Sequence, residues 1–153
     1  MLYQQNYKAR QKYLKNKRKI SLYDSENIAF HFINELLQKG GFSNLSVACH
    51  IPLLRVINGV LKLDEKELKY AQNPRTHIDF VIYHKMDKMP LLGIEIDGYA
   101  FHNENAAQIR RDELKNAILA KYNFTLLRLN TTQSGEEKRI INALEKIVFL
   151  KIL

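Results

Sequence analysis

Residues 77–97 read HIDFVIYHKMDKMPLLGIEID, and the pattern of this stretch decides the fold. His77 to Tyr83 is β-branched and aromatic, as a strand requires. Lys85 to Pro90 is polar and turn-like, and Leu91 to Asp97 is apolar up to Glu95. Two strands joined by so short a polar turn pair as a hairpin. A strand apolar on every side before Glu95 belongs in the middle of a sheet, covered on both faces.

Helical and strand patterns extend outward from this hairpin. Upstream, Ile28, Ala29, Phe32, Ile33, Leu36 and Leu37 recur at helical spacing, with Asp24 or Ser25 as cap and Gly40-Gly41 as stop. Leu45 to Ile51 reads as a strand. Residues 52–76 read as an irregular insert, in which Leu53 to Leu61 fits a short helix or a strand and Asp64 to Tyr70 a helical turn. Asn73-Pro74 ends it. Downstream, Glu104 to Tyr122 is the longest helical stretch, with Ala107, Leu114, Ala117 and Ile118 as its apolar stripe. Phe124 to Leu129 is a strand, and Gly135 to Leu150 a final helix with Ile140, Leu144, Ile147 and Val148 inward. The expected architecture is α/β, a mixed sheet with helices on both faces, closing with a right-handed strand–helix–strand crossover over residues 91–129.

The chain has 153 residues, enough for one domain. A single cysteine, Cys49, rules out an internal disulfide and fits a reducing cytoplasm. No Cys/His spacing suggests zinc. No apolar run reaches the roughly 20 residues of a membrane span, and the basic N-terminal stretch is not followed by the apolar region that a secretory signal would need, so none is expected there. Net charge is +8 and unevenly spread. Residues 1–23 carry Lys8, Arg10, Lys12, Lys15, Lys17, Arg18 and Lys19 with no acid, which leaves 17 basic against 16 acidic residues elsewhere. Tyr3, Tyr7 and Tyr13 lie among these charges. Such a segment can follow a phosphate backbone and stack on bases, or can be an ordinary solubility segment. The division expected is a basic arm over 1–23, reading like the linker of a longer protein, and a domain over 24–153.

Acids inside apolar strands are the chemical signal. Glu95 and Asp97 alternate and so point to one face. Asp79 interrupts the neighbouring apolar run, and the hairpin can bring it near them. Burying an unpaired carboxylate costs several kcal/mol, roughly, unless a cation is close. That cation is either Lys or Arg, or a hard divalent ion such as Mg²⁺ or Mn²⁺. The following helix sets Gln108, Arg111, Asp112 and Lys115 on a polar stripe, and His102 lies on the loop before it. Surface ion pairs would explain the same stripe.

At this point the residues resemble a family. The elements "IDFV", "IEIDG", the following His102, Gln108, "RDELK" and "LLRL", all within residues 77–130, resemble in order and spacing the core of PD-(D/E)XK nucleases. Very-short-patch repair endonucleases and related domains fused to helicases are the nearest group. The first helix, with Glu26, fits the same pattern. The resemblance implies a restriction-endonuclease-like αβββαβ core and cleavage of DNA phosphodiesters. It implies Mg²⁺ or Mn²⁺ held by Asp79 and Glu95, with the carbonyl of Ile96 completing the site. Glu26 would bind a second metal or a metal-bound water.

One departure concerns the motif lysine, whose place Asp97 takes. An E-x-D form occurs in the subgroup resembled. Lys115 or His102 would then replace the lysine, Gln108 would position the water, and Lys115 or Arg111 would stabilise charge on the phosphate. The expected partner is DNA, gripped by Lys12, Lys15, Lys17, Arg18 and Lys19 together with Arg111, and a helicase in cis or trans. Oligomeric state is open; the apolar tail Ile147 to Leu153 can pack on a partner or a second copy. A nuclease fold that binds nucleic acid without cutting it is the alternative, favoured by Asp97. A purely structural domain is the second.

Overall fold

The computed structural model describes residues 23–97, 106–130 and 135–152, with residues 5, 6, 8, 9, 12 and 21; side chains are described up to residue 148. The chain runs α1 (Asp24–Lys39), β1 (Leu45–Pro52), a 3₁₀ turn (Leu53–Arg55), α2 (Glu65–Gln72), β2 (His77–His84), β3 (Pro90–Asp97), α3 (Ala106–Lys121), β4 (Thr125–Asn130) and α4 (Glu136–Ile152). The strands form one sheet in the order β1-β2-β3-β4. The first two pairings are antiparallel, and β3 with β4 is parallel. The result is an α/β fold with a mixed sheet flanked by helices, as expected. The β2–β3 hairpin forms, and Leu91 to Glu95 are buried without a break.

Each face has its own core. On one, Ile33, Leu36 and Leu37 of α1 and Ile140 and Leu144 of α4 pack on Phe80, Ile82, Leu92 and Ile94. On the other, Leu53, Val56, Ile57 and Ala71 join Ile118 and Leu119 of α3 over Ile78 and Val81. The insert is therefore a structural part of the second core. Only Leu53–Arg55 of its first half forms a 3₁₀ turn, in place of the longer helix or strand expected there. Its second half is a true helix. Asp64 accepts from the Glu67 N–H while the Glu67 carboxylate accepts from the Asp64 N–H, which satisfies two otherwise orphaned donors. Glu67 also meets Lys121 of α3 at 2.6 Å.

Two local expectations are corrected. The cap of α1 is Tyr23, in extended conformation and without a side-chain cap bond. Asp24 lies one step inside, where with Glu26 its charge still favours the helix N-terminus. The inward stripe of α3 is Leu114, Ile118 and Leu119, whereas Ala107 and Ala117 are exposed. The helix turns towards its larger side chains, because burying leucine removes more apolar area from water than burying alanine.

Gly93 permits the close approach of the crossover. A Cβ there would stand 2.9 Å from Leu126 Cδ1 and 3.0 Å from Phe124 Cε1.

Candidate functional site

The strand registers place four polar residues in one row across the sheet. His50 stands between the pairs Cys49–Phe80 and Ile51–Ile78, and so faces Asp79. Asp79 and Glu95 lie one step beyond Phe80–Ile94, the last β2–β3 pair on that side. Glu95 is the direct partner of Arg128 on β4. The row therefore reads His50, Asp79, Glu95, Arg128.

At this row β2 and β3 stop exchanging backbone bonds, and a side chain fills the place of the ladder. Asp79 Oδ2 accepts the Ile96 N–H at 3.0 Å. Burial holds the Asp79 carboxyl above its usual range, and the negative charges of Glu95 and Glu26 add to the shift. The Ile96 N–H and His77, whose Nε2 is 3.8 Å from Asp79 Oδ1, act in the opposite direction without cancelling it.

Glu95 is buried, and each of its oxygens meets a different cation. Arg128 Nη1 lies 2.7 Å from Oε2, while the Lys115 ammonium donates to Oε1. Lys115 also donates to the carbonyl of His77 at 2.9 Å, so one side chain of α3 ties the start of β2 to the end of β3. Arg128 reaches Asp97 at 3.8 Å and Asp112 at 3.4 Å. Asp112 accepts from Gln108 at 3.2 Å, and the Gln108 carbonyl accepts from Arg111 at 2.9 Å. The polar stripe of α3 thus forms one continuous network ending on Glu95.

Glu26 approaches from the opposite face. Its Oε2 accepts the Ser21 hydroxyl and lies 2.9 Å from His50 Nε2. Ser21, inside the segment read as the arm, is buried against α1. The rings of His50 and His77 meet edge to face at 5.1 Å. His50 has φ of 53°, a left-handed backbone inside a strand, which costs a non-glycine residue on the order of 1–2 kcal/mol. From the insert, Tyr70 is close enough to sense the same charges. Its phenol is pushed up to about 12, first by burial and then by Glu95 and Asp112.

Of the residues expected from sequence, Asp79, Glu95, Ile96, Lys115, Gln108, Arg111 and Glu26 converge on this region. Asp97 sits at its exposed rim. His102, Lys15, Lys17, Arg18 and Lys19 lie outside the described residues, and Lys12 is exposed. Among the described residues no three His, Cys, Asp or Glu side chains group tightly enough to hold a metal ion by themselves.

The family profile DUF2726, described as a protein of unknown function, matches residues 18–147. The chain belongs to the DUF2726 family. Neither a search among curated proteins nor one among solved structures returned a match. The DUF2726 match takes in the whole row and Arg18 and Lys19, and leaves Lys12, Lys15 and Lys17 outside.

Four residues of this DUF2726 site carry no role in a reading of the sequence alone. His77 was detectable, since it precedes Asp79 by two and shares its face. Arg128 stands within "LLRL", and a lone arginine in an apolar strand opposite two acids is itself a signal. Nothing in the sequence marks His50 as left-handed, or Tyr70 as leaning toward Glu95.

Proposed function

We propose that this chain is a metal-dependent nuclease of the PD-(D/E)XK type, acting on DNA phosphodiester bonds and belonging to a larger helicase-linked repair or defence system. The observation that supports it best is the meeting of Asp79 and Glu95 where β2 and β3 part, with the Lys115 ammonium on Glu95. Burial first, and then the charges of Glu95 and Glu26, hold the Asp79 carboxyl above its usual range, and a hard cation beside it would favour the ionised form. Mg²⁺ takes one or two carboxylates and keeps several waters, so two acids suffice without a complete protein cage.

Asp79 and Glu95 would hold Mg²⁺ or Mn²⁺, with the Ile96 carbonyl as a further oxygen donor. A bound divalent ion supplies polarisation of the phosphoryl oxygen and a more acidic water. The protein's own groups do the rest. Lys115 brings the positive charge that Asp97 cannot, from the next helix instead of from the strand. Arg111, anchored by Gln108, faces incoming phosphate. Glu26 and His50 form a polar pair beside Asp79 that can orient water. The arm residues Lys12, Lys15, Lys17, Arg18 and Lys19 add salt-sensitive affinity for the DNA backbone.

The experiment is cleavage of plasmid and of oligonucleotides with Mg²⁺ or Mn²⁺ by wild type, Asp79→Ala and Glu95→Ala. Loss of cleavage in both variants is expected; equal cleavage by all three proteins refutes the assignment.

A second reading has its own support. Both oxygens of Glu95 are already neutralised by Lys115 and Arg128, and Asp97 stands at the motif-lysine position. That arrangement suits a nuclease fold that binds nucleic acid without cutting it. DNA binding that persists in Asp79→Ala, with no cleavage by wild type, selects this reading.

A further inference from the structure

The two cations on Glu95 are not equivalent. Arg128 is fixed from several sides. Its strand register puts it directly opposite Glu95, and its guanidinium also contacts Asp97, Asp112 and Asn116. A planar fork with that many partners is preorganised and hard to move. Lys115 reaches Glu95 from another element, through a flexible four-carbon stem, and its second anchor is the His77 carbonyl. It covers Oε1, while Arg128 covers Oε2.

We infer that the Lys115 ammonium is an exchangeable internal counter-ion of Glu95, which gives up Oε1 when a divalent cation binds at Asp79 and Glu95. The inference rests on the nuclease reading above and adds a coupling to it. The ammonium and the metal compete for one carboxylate oxygen, so each weakens the other's hold on it. Metal entry then frees the lysine, and the released charge is available to a phosphate only after the metal has arrived. Glu95 stays neutralised in either state, since Arg128 keeps Oε2 throughout. The cost of keeping a carboxylate buried is thereby met with and without the ion.

Competition of this kind predicts the opposite of what loss of a supporting residue would give. Lys115→Met should bind Mn²⁺ about tenfold more tightly than wild type in calorimetric titration, within the usual range of coupling between two sites. Any lost positive charge nearby would also help metal binding, so Arg111→Met is the reference. Arg111 contacts Gln108, and its removal should change Mn²⁺ affinity by much less. Should Lys115→Met unfold, the wild type carries the test. Pulse labelling of amines, read by mass spectrometry, should show Lys115 more reactive when Mg²⁺ is added, with Lys121 unchanged.

Tighter Mn²⁺ binding in Lys115→Met than in Arg111→Met, or metal-induced labelling of Lys115, supports the exchange. Equal or weaker Mn²⁺ binding in Lys115→Met, with metal-independent labelling, overturns it while leaving wild-type cleavage and the nuclease reading intact. Absence of Mn²⁺ binding and of cleavage in wild type and both variants overturns that reading and the exchange together.

Discussion

Glu95 and Arg128 are direct partners on the parallel strands β3 and β4, and their side chains meet at 2.7 Å inside the protein. The pair closes the central row of the sheet and links it to Asp112 of α3. Removing one member of a buried pair leaves an uncompensated charge, which costs about 3–5 kcal/mol when nothing else is near. Lys115 remains on Glu95, so Arg128→Met should cost about 2 kcal/mol. Arg128→Lys should recover only part of this, because an ammonium cannot serve Glu95, Asp112 and Asn116 at once. Urea unfolding checks both variants; an unchanged midpoint for Arg128→Met would mean that the pair contributes no net stability.

Asp79 sets stability against chemistry. Its carboxyl is raised by burial first, then by Glu95 and Glu26. The folded protein therefore holds this proton to higher pH than the unfolded chain does. Stability from this group falls as pH rises from the ordinary carboxylate range through the raised folded value. Asp79→Asn removes the buried charge and keeps an oxygen for the Ile96 N–H. In chelator at neutral pH the variant should melt above wild type, and the gap should close on acidification below the ordinary aspartate range. A variant that melts lower at both pH values would show that the ionised carboxylate is a net stabiliser.

The hairpin, the central strand and the parallel crossover were legible because period-two alternation and unbroken apolar runs are strong local signals. The acids stood out for the same reason: Asp79 and Glu95 interrupt those runs. What remained hidden depends on tertiary placement. The insert shows no clear period, since Leu53, Val56 and Ile57 are buried from an irregular segment. Tyr23 caps α1 although Asp24 and Ser25 are better capping residues, because the chain entering from Ser21 is already fixed by Glu26. The partners of Glu95 come from α3 and β4, and only the fold says that these two elements converge on it.

Gly93 tests the crossover without touching any charge. Alanine there would place its Cβ against Leu126, Phe124 and Ile78 at 2.9, 3.0 and 3.3 Å. The side-chain ends must yield, and overpacking of this kind costs about 1–3 kcal/mol. Gly93→Ala should lie near the lower bound, since all three atoms belong to side chains. Thermal denaturation measures it, and a neutral result would mean that β4 and its approach segment shift freely.

His50 separates backbone strain from side-chain loss. Its left-handed φ of 53° favours glycine over alanine, and neither replacement can pair with Glu26. His50→Gly should therefore be more stable than His50→Ala by about 0.5–1 kcal/mol, once the greater chain entropy of glycine is allowed for. Equal unfolding midpoints would indicate that the strand relaxes to ordinary extended geometry when the imidazole is removed.

The basic arm is testable by truncation, and the structure says where to cut. Ser21 is buried and bonded to Glu26, so a deletion must stop short of it. Removing residues 1–19 takes away all seven basic residues of the arm and leaves that anchor in place. For every phosphate that the arm no longer neutralises, the dependence of log affinity on log salt should flatten by about 0.9 on duplex DNA. The truncated protein should bind DNA more weakly at low salt and with a slope less steep by several units, while its melting temperature stays near wild type. An unchanged slope would assign the phosphate-binding role to the folded body, with Arg111 the first residue to examine, and would reduce the arm to a solubility segment.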